Sequence, residues 1–464
     1  MPINLKSPPQ PCPPLPISLF SFWAHLAFAS ATPPFYFAPL PSAPAYLPTY
    51  PPLPALPLLP LPLESRTRKT MSLAAPLGVY RNTCLQTIHW GPGCLSKTLP
   101  ESVRKLGKTK VLILTGKTLA TKTDVVSKVE KALGDYHGAT FYEIGEHAPI
   151  QSIRKAVQLI QDVKADVIVS VGGGSPIDSA KAISHILHQE SRGKVASDEG
   201  NEDYSSFLPS IAIPTTLSMA ETTQNAGFKN EEGDKVGVSH PALVPRVIIY
   251  DAQLTLDTPE RLWLSTGVRA LDHAIEFLYR FDSHPLLRNQ SYGAIRELFT
   301  FLPLSKQRPQ DVNVRQRLQL SVVSSLWPES RKGALGLSHG LGHKLGATYA
   351  IGHGITSCLT LAPSIRLTAT SHSTPLEQLA ALADSLAYIP PPHNPSPTPL
   401  GAAVGSVAEA VQSLVDQLGL HSTLKGEGVP RNEVELIATR ATGEDKKGSL
   451  EWLAIKELLE SIYE

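Results

Sequence analysis

Four histidines, His273, His339, His343 and His353, can bring imidazoles together from separate parts of this 464-residue chain. His339 and His343 are four apart and share a face on a helix, and Gly346 and Gly352 can turn the chain so that His353 returns toward them. Converging imidazoles make either a divalent-metal site or a proton relay. The alternative is a set of core histidines, each satisfied by its own hydrogen bond. Four at these spacings favour a site.

A second source of chemistry is the run from Val171 to Lys181, VGGGSPIDSAK. It leaves an apolar strand, passes Gly172, Gly173 and Gly174, and enters a helix predicted to be capped by Ser175, with Pro176 in the first turn and Asp178 completing a capping pair. Glycines remove the side chains that would keep a pyrophosphate from the backbone, and the free N–H groups and dipole of the helix start supply positive potential. Without a ligand the same residues are only a glycine-rich turn. The strand before it, the capped helix after it and Lys181 one turn beyond Asp178 point to phosphate instead.

Such residues need a scaffold, and the pattern around them supplies one. Strands are predicted at 111–115, 139–144, 165–171, 210–213 and 246–250, with amphipathic helices at 124–133 and 152–163. Continuous apolar strands alternating with helices predict a parallel α/β sheet covered on both faces. After Asp251 the spacing becomes helical. A helix start is predicted at Thr258-Pro259-Glu260 and a second helix at 267–280, followed by helices near 315–326, 376–386, 402–418, 433–439 and 450–462. The expected domains are 71–252, α/β and nucleotide-binding, and 253–464, all-α, with the six prolines of 389–399 forming a loop inside the second.

Residues 1–70 differ in kind: they hold 19 of the 42 prolines and none of the 32 glycines. Proline at that density removes backbone donors and fixes φ, so an extended or disordered extension is expected, with Met71 as the start of the folded and authentic polypeptide. The apolar run at 17–30 has only Lys6 before it and prolines around it, which argues against a secretion signal, and a mitochondrial presequence, expected to be an Arg-rich amphipathic helix, is also disfavoured. A cytoplasmic location is therefore expected ahead of a mitochondrial one. The balance of 42 Lys+Arg against 41 Asp+Glu gives no electrostatic case for a nucleic-acid or membrane-surface binder. Cys12, Cys84, Cys94 and Cys358 show no paired spacing of a disulfide framework or a thiolate zinc site.

Four motifs in order carry a resemblance to a known family: GGGSPIDSAK, then Pro214-Thr215-Thr216, then the run GVRALDHAIE from Gly267 to Glu276, then His339 and His343 with His353-Gly354 ten residues later. Together they resemble the iron-containing alcohol dehydrogenase family. The resemblance spans Met71 to Glu464 and implies a dehydroquinate-synthase-like fold, an NAD(P)-binding domain followed by a helical domain, an active site between them, and a homodimer acting on a small-molecule substrate. It implies cofactor contacts at Gly116, Lys117, Gly172, Gly173, Gly174, Ser175, Asp178, Lys181, Thr215 and Thr216.

The family holds its metal with one aspartate and three histidines. The histidines correspond to His273, His339 and His353, and His343 to a further active-site histidine, but the aspartate position is Arg269. A guanidinium has no lone pair for a metal and adds charge beside one, which argues against a family-type iron or zinc site. Asp272 lies about 100° around the helix from His273 and is a poor substitute. Arg269, Asp272, Glu276 and Arg280 are also compatible with the solvated side of an amphipathic helix.

The short spacing from Thr215-Thr216 to Glu221 looks like the maleylacetate reductase branch, which reduces an unsaturated oxo-dicarboxylic acid from aromatic-compound breakdown without metal. The expected function is thus NAD(P)H-linked reduction of a small oxo acid, with Arg269 holding a carboxylate or polarising a carbonyl and His343 or His273 supplying the proton. Gly116 stands where many members carry an aspartate and Lys117 follows it, so NADPH should be tolerated beside NADH, although Lys117 also fits a solvated loop. Two other readings are a metal-dependent alcohol or polyol dehydrogenase and a non-catalytic dinucleotide-binding relative.

Overall fold

The computed structural model describes residues 83–464 apart from 147, 193–203, 232–234, 281, 330–334, 372–373 and 391–398. The proline-rich extension, the expected start at Met71 and most of the 389–399 loop lie outside the described residues.

Strands β1 (Thr87–Trp90), β2 (Val111–Leu114), β3 (His137–Phe141), β4 (Val167–Gly172), β5 (Ser210–Pro214) and β8 (Val247–Tyr250) form one parallel sheet in the order β1-β8-β5-β4-β2-β3. Between β5 and β8, β6 (Asn225–Lys229) and β7 (Lys235–Ser239) make a separate antiparallel hairpin. Alternate residues of the central strands face opposite layers. Val111, Ile113, Val167 and Val169 pack under α1 (Leu95–Lys105) and α3 (Val125–Leu133), while Leu112, Leu114 and Ile168 pack under α4 (Ile150–Val163) and α5 (Gly174–Arg192). Each such side chain contributes about 1.5–3 kcal/mol of burial. The short α2 (Lys117–Lys122) follows β2.

The sheet order places the ligand-binding edge. From β2 the chain runs outward to β3 and then crosses back to β4 on the other side of β2, so the topology reverses between β2 and β4. Gly116 follows one of these strands, and Gly172 ends the other with Gly173 and Gly174 after it. Ligands of open α/β sheets sit outside the carboxyl ends of the strands at such a reversal.

The second half is helical: α6 (Glu260–Tyr279), α7 (Pro285–Gln307), α8 (Val312–Ser325), α9 (Leu337–Tyr349), α10 (His353–Thr370), α11 (Leu376–Asp384), α12 (Leu400–Gln417), α13 (Val434–Thr442) and α14 (Leu450–Ser461). The expected α/β-plus-helical architecture is what the structure contains. Among the described residues no helix is long and apolar enough to cross a membrane.

Three local expectations are corrected. One continuous helix, α6, replaces the two predicted at Thr258 and Gly267. Thr258 does not cap it, because its hydroxyl donates to Thr215 O at 2.8 Å, and Gly267 gives close passage to α7, since a Cβ there would lie 2.3 Å from Leu302 Cδ2. Ser175 lies inside α5, which begins at Gly174, rather than capping it. Arg269, Asp272, Glu276 and Arg280 are all buried, so they are not a solvated stripe.

Candidate functional site

The glycine turn is shaped by what packs on it. Gly172 has φ +134°, a conformation that side chains resist, and its carbonyl accepts from Thr215 N at 2.9 Å. A Cβ on Gly173 would lie 3.1 Å from Thr216 Cγ2. The turn therefore presents backbone, with the amino end of the 19-residue α5 beginning at Gly174. That cradle fits a phosphate-bearing ligand. Gly116 caps the exposed start of α2 in extended conformation, and Lys117 is exposed.

The two expected polar partners on α5 face elsewhere. Asp178 Oδ2 accepts from Gly227 N of β6 at 3.3 Å. Lys181 is fully buried, and its ammonium donates to Ala220 O at 2.5 Å, Thr223 O at 2.7 Å, Asn225 O at 2.8 Å and Thr223 Oγ1 at 3.0 Å. It fixes the loop after β5 instead of facing the glycine turn. Beside it, Tyr250 donates to Glu221 Oε1 at 2.8 Å. Burial pushes Lys181 down to about 8 and Glu221 up to about 7, with Asp178 and Glu221 pulling the lysine back.

From the glycine turn the structure leads directly to the helical half. Thr216 is followed by Leu217, whose N–H donates to Thr266 Oγ1 of α6 at 3.1 Å; about one turn further along α6 stands Arg269, and about two turns further His273. The four histidines form a row: ring centroids are 5.3 Å apart for His273 and His339, 4.9 Å for His339 and His343, and 5.6 Å for His343 and His353. His273 is buried and His343 is exposed. The turn back to His353 is made by Ala350 in the left-handed region at φ +56°. Gly346 instead gives His353 room, for a Cβ there would lie 3.3 Å from its ring.

Arg269 stands against this row. Its Nη2 donates to His339 Nε2 at 2.8 Å, and its Nη1 donates to Asp272 Oδ2 at 3.2 Å and Ser357 Oγ at 3.0 Å. An arginine only donates, so His339 Nε2 is the acceptor. Room for the guanidinium comes from Gly342 of α9, where a Cβ would lie 3.4 Å from Arg269 Nη1 and 2.8 Å from Thr356 Oγ1. Glu276, one turn after Asp272, accepts from Ser338 N at 2.8 Å and Tyr279 OH at 3.0 Å, pinning the start of α9. Burial and the Asp272 charge push Glu276 up to about 8. Burial also raises Asp272 while Arg269 and the serine hydroxyls pull it back, and burial together with Arg269 holds His339 well below the usual imidazole range.

The residues present do not fit the family's metal ion. The lone pair of His339 Nε2 is taken by a guanidinium, which cannot itself ligate a metal, and Arg269 stands where the resemblance implies the aspartate ligand. Ser338, Ser357 and Gly342 escaped the sequence reading because serine and glycine carry no signal of their own; Asp272 was visible but set aside by its angle from His273. The i,i+3 spacing from Arg269 to Asp272 was the available clue.

Comparison with known proteins shows the family to which the chain belongs. Residues 86–252 match the iron-containing alcohol dehydrogenase model, and residues 263–461 match the C-terminal model of the same family. A maleylacetate reductase of Rhizobium sp. (strain MTP-10005) is 29% identical over 78% of this chain and 92% of its own. Dehydrogenase ALT3 of Alternaria alternata is 31% identical over 55% of this chain and 71% of its own. The solved maleylacetate reductase from Agrobacterium tumefaciens superposes with TM-score 0.66 at 25% identity, covering 84% of this chain and 98% of that one. With both halves matched in order, the chain belongs to the iron-containing alcohol dehydrogenase family and is an oxidoreductase.

Proposed function

We propose that this chain is an NAD(P)H-linked reductase of a small oxo acid, of the maleylacetate reductase kind, in which Arg269 takes the place of a metal ion. One observation carries the reading: the guanidinium is anchored through three hydrogen bonds, which leaves two of its five N–H donors without a partner among the described residues. Those donors suit a substrate carboxylate or carbonyl oxygen. The maleylacetate reductases among its relatives support the substrate class.

The glycine turn at Gly172–Gly174, with Ser175, Thr215 and Thr216, would hold the dinucleotide pyrophosphate. Asp178 and Lys181 serve that site indirectly, by fixing the hairpin and the loop after β5. When bound there, a reduced nicotinamide supplies hydride. His343, the exposed imidazole of the row, or buried His273 gives the proton, and His339 is held by Arg269 as an acceptor. Gly116 places no carboxylate near a ribose 2′-position and Lys117 adds a cation, so both NADPH and NADH are accepted. A metal-dependent alcohol dehydrogenase would require Arg269 to leave three partners. The cytoplasmic location expected from residues 1–70 and the homodimer implied by the family resemblance remain part of this reading.

Steady-state oxidation of NADPH and NADH against maleylacetate, short aldehydes and 2-oxo acids tests it. Maleylacetate should turn over fastest with either cofactor. Preferred turnover of an aldehyde, or none with any oxo acid, would contradict the proposal.

A further inference from the structure

A buried guanidinium needs a counter-charge. Here it comes from Asp272, three residues along α6 and so on the same helical face. Asp272 is fully buried, and its Oδ2 collects three donors: Arg269 Nη1 at 3.2 Å, Ser338 Oγ at 3.0 Å and Ser357 Oγ at 2.5 Å. Ser357 closes a triangle, since it also accepts from Arg269 Nη1 at 3.0 Å. The other carboxylate oxygen, Oδ1, has no hydrogen-bond partner among the described residues. The carboxylate thus concentrates its bonding on the side of the guanidinium.

The partners come from the elements that carry the imidazoles. Ser338 lies in the first turn of α9, ahead of His339 and His343, and Ser357 lies in the first turns of α10, after His353. Bound at Nη1, the guanidinium plane is fixed, which places Nη2 on His339 and leaves the remaining donors in one orientation. Without that anchor, a long side chain with free rotamers would spread those donors over several positions.

Resting on the functional reading of Arg269, we infer that Asp272 is a positioning residue: bridged by Ser357, it aims the Arg269 guanidinium, and it acts on the reaction only through that arginine. The pairing follows from Arg269 standing where the family resemblance implies an aspartate.

A double-mutant cycle tests it, with kcat and KM for maleylacetate and NADPH measured beside the thermal midpoint of each protein. Asp272→Asn keeps the shape and removes the charge; Arg269→Gln removes the guanidinium. Asp272→Asn alone should lower kcat about 10–100-fold, whereas adding it to Arg269→Gln should change kcat less than about 2-fold. A merely structural role would multiply the two losses. Should Asp272→Asn fail to fold, Ser357→Ala gives the same test, with a smaller loss of roughly 3–10-fold that vanishes in the Arg269→Gln background. Wild-type kcat in Arg269→Gln overturns the reading of Arg269 and this inference with it. A large loss in Arg269→Gln beside wild-type kcat in Asp272→Asn, or losses that multiply, overturns the positioning role alone.

Discussion

Two buried cations, Lys181 in the α/β half and Arg269 in the helical half, are used differently. In the α/β half, Lys181 has three N–H donors and faces three backbone carbonyls and a threonine hydroxyl, so nothing is left over. In the helical half, Arg269 has five donors and makes three bonds, one of them to an imidazole. Both are opposed by burial, which lowers each from its ordinary value, and both have carboxylates nearby. A buried cation with every donor satisfied holds a fold together. One with donors to spare, beside titratable rings, is equipped to meet a ligand.

Substitutions can break this contrast. The largest effect is expected at Arg269, where Arg269→Ala should lower kcat about 10²–10³-fold, the cost of losing a preorganised donor, measured on maleylacetate reduction. Lys181→Met should instead lose about 3–5 kcal/mol of unfolding free energy in denaturant titration, because several buried acceptors lose one shared donor. Its kinetic effect should fall on KM for NADPH more than on kcat, since the loop it holds packs on the glycine turn, with Ala220 Cβ 3.9 Å from a Cβ at Gly174.

Gly342→Ala should have a smaller, local effect. The new methyl crowds Thr356 and Arg269, costing about 1–3 kcal/mol of stability and roughly 10-fold in kcat. Gly340→Ala, one position after His339 and facing open space, is the control and should be neutral or stabilising by up to about 1 kcal/mol. A pH-dependent effect on stability alone concerns Glu221. Its native carboxyl is raised from 4.5 to about 7, so the folded state holds a proton that the unfolded chain releases, and stability should fall as pH rises across that interval. Glu221→Gln should flatten that slope in pH-resolved thermal unfolding.

The contrast also marks what the sequence made legible. Strands β2, β4, β5 and β8 were readable because strands buried on both faces must be continuously apolar, and the glycine run could be placed because it follows one of them. The order of the strands, and so the reversal between β2 and β4, is fixed by pairing that no local pattern encodes. Helices α7 and α10 were not predicted; each holds an internal proline, Pro303 or Pro363, a residue that weakens a helical pattern. The charged positions of α6 look alike in sequence whether they face water or another polar helix. Only packing shows Asp272 and Glu276 meeting the start of α9. Lys181 was visible as a cation near a phosphate turn, but the direction of its side chain depends on a loop some 40 residues later.

The central claim is that a fixed guanidinium replaces a metal ion. Its most direct test is maleylacetate reduction by NADPH after exhaustive EDTA treatment, repeated with added Fe²⁺ or Zn²⁺, for the wild-type chain and Arg269→Ala. Wild-type kcat unchanged by either treatment, together with its loss in Arg269→Ala, is the predicted result. Activity that appears only with added metal and survives in Arg269→Ala would contradict it.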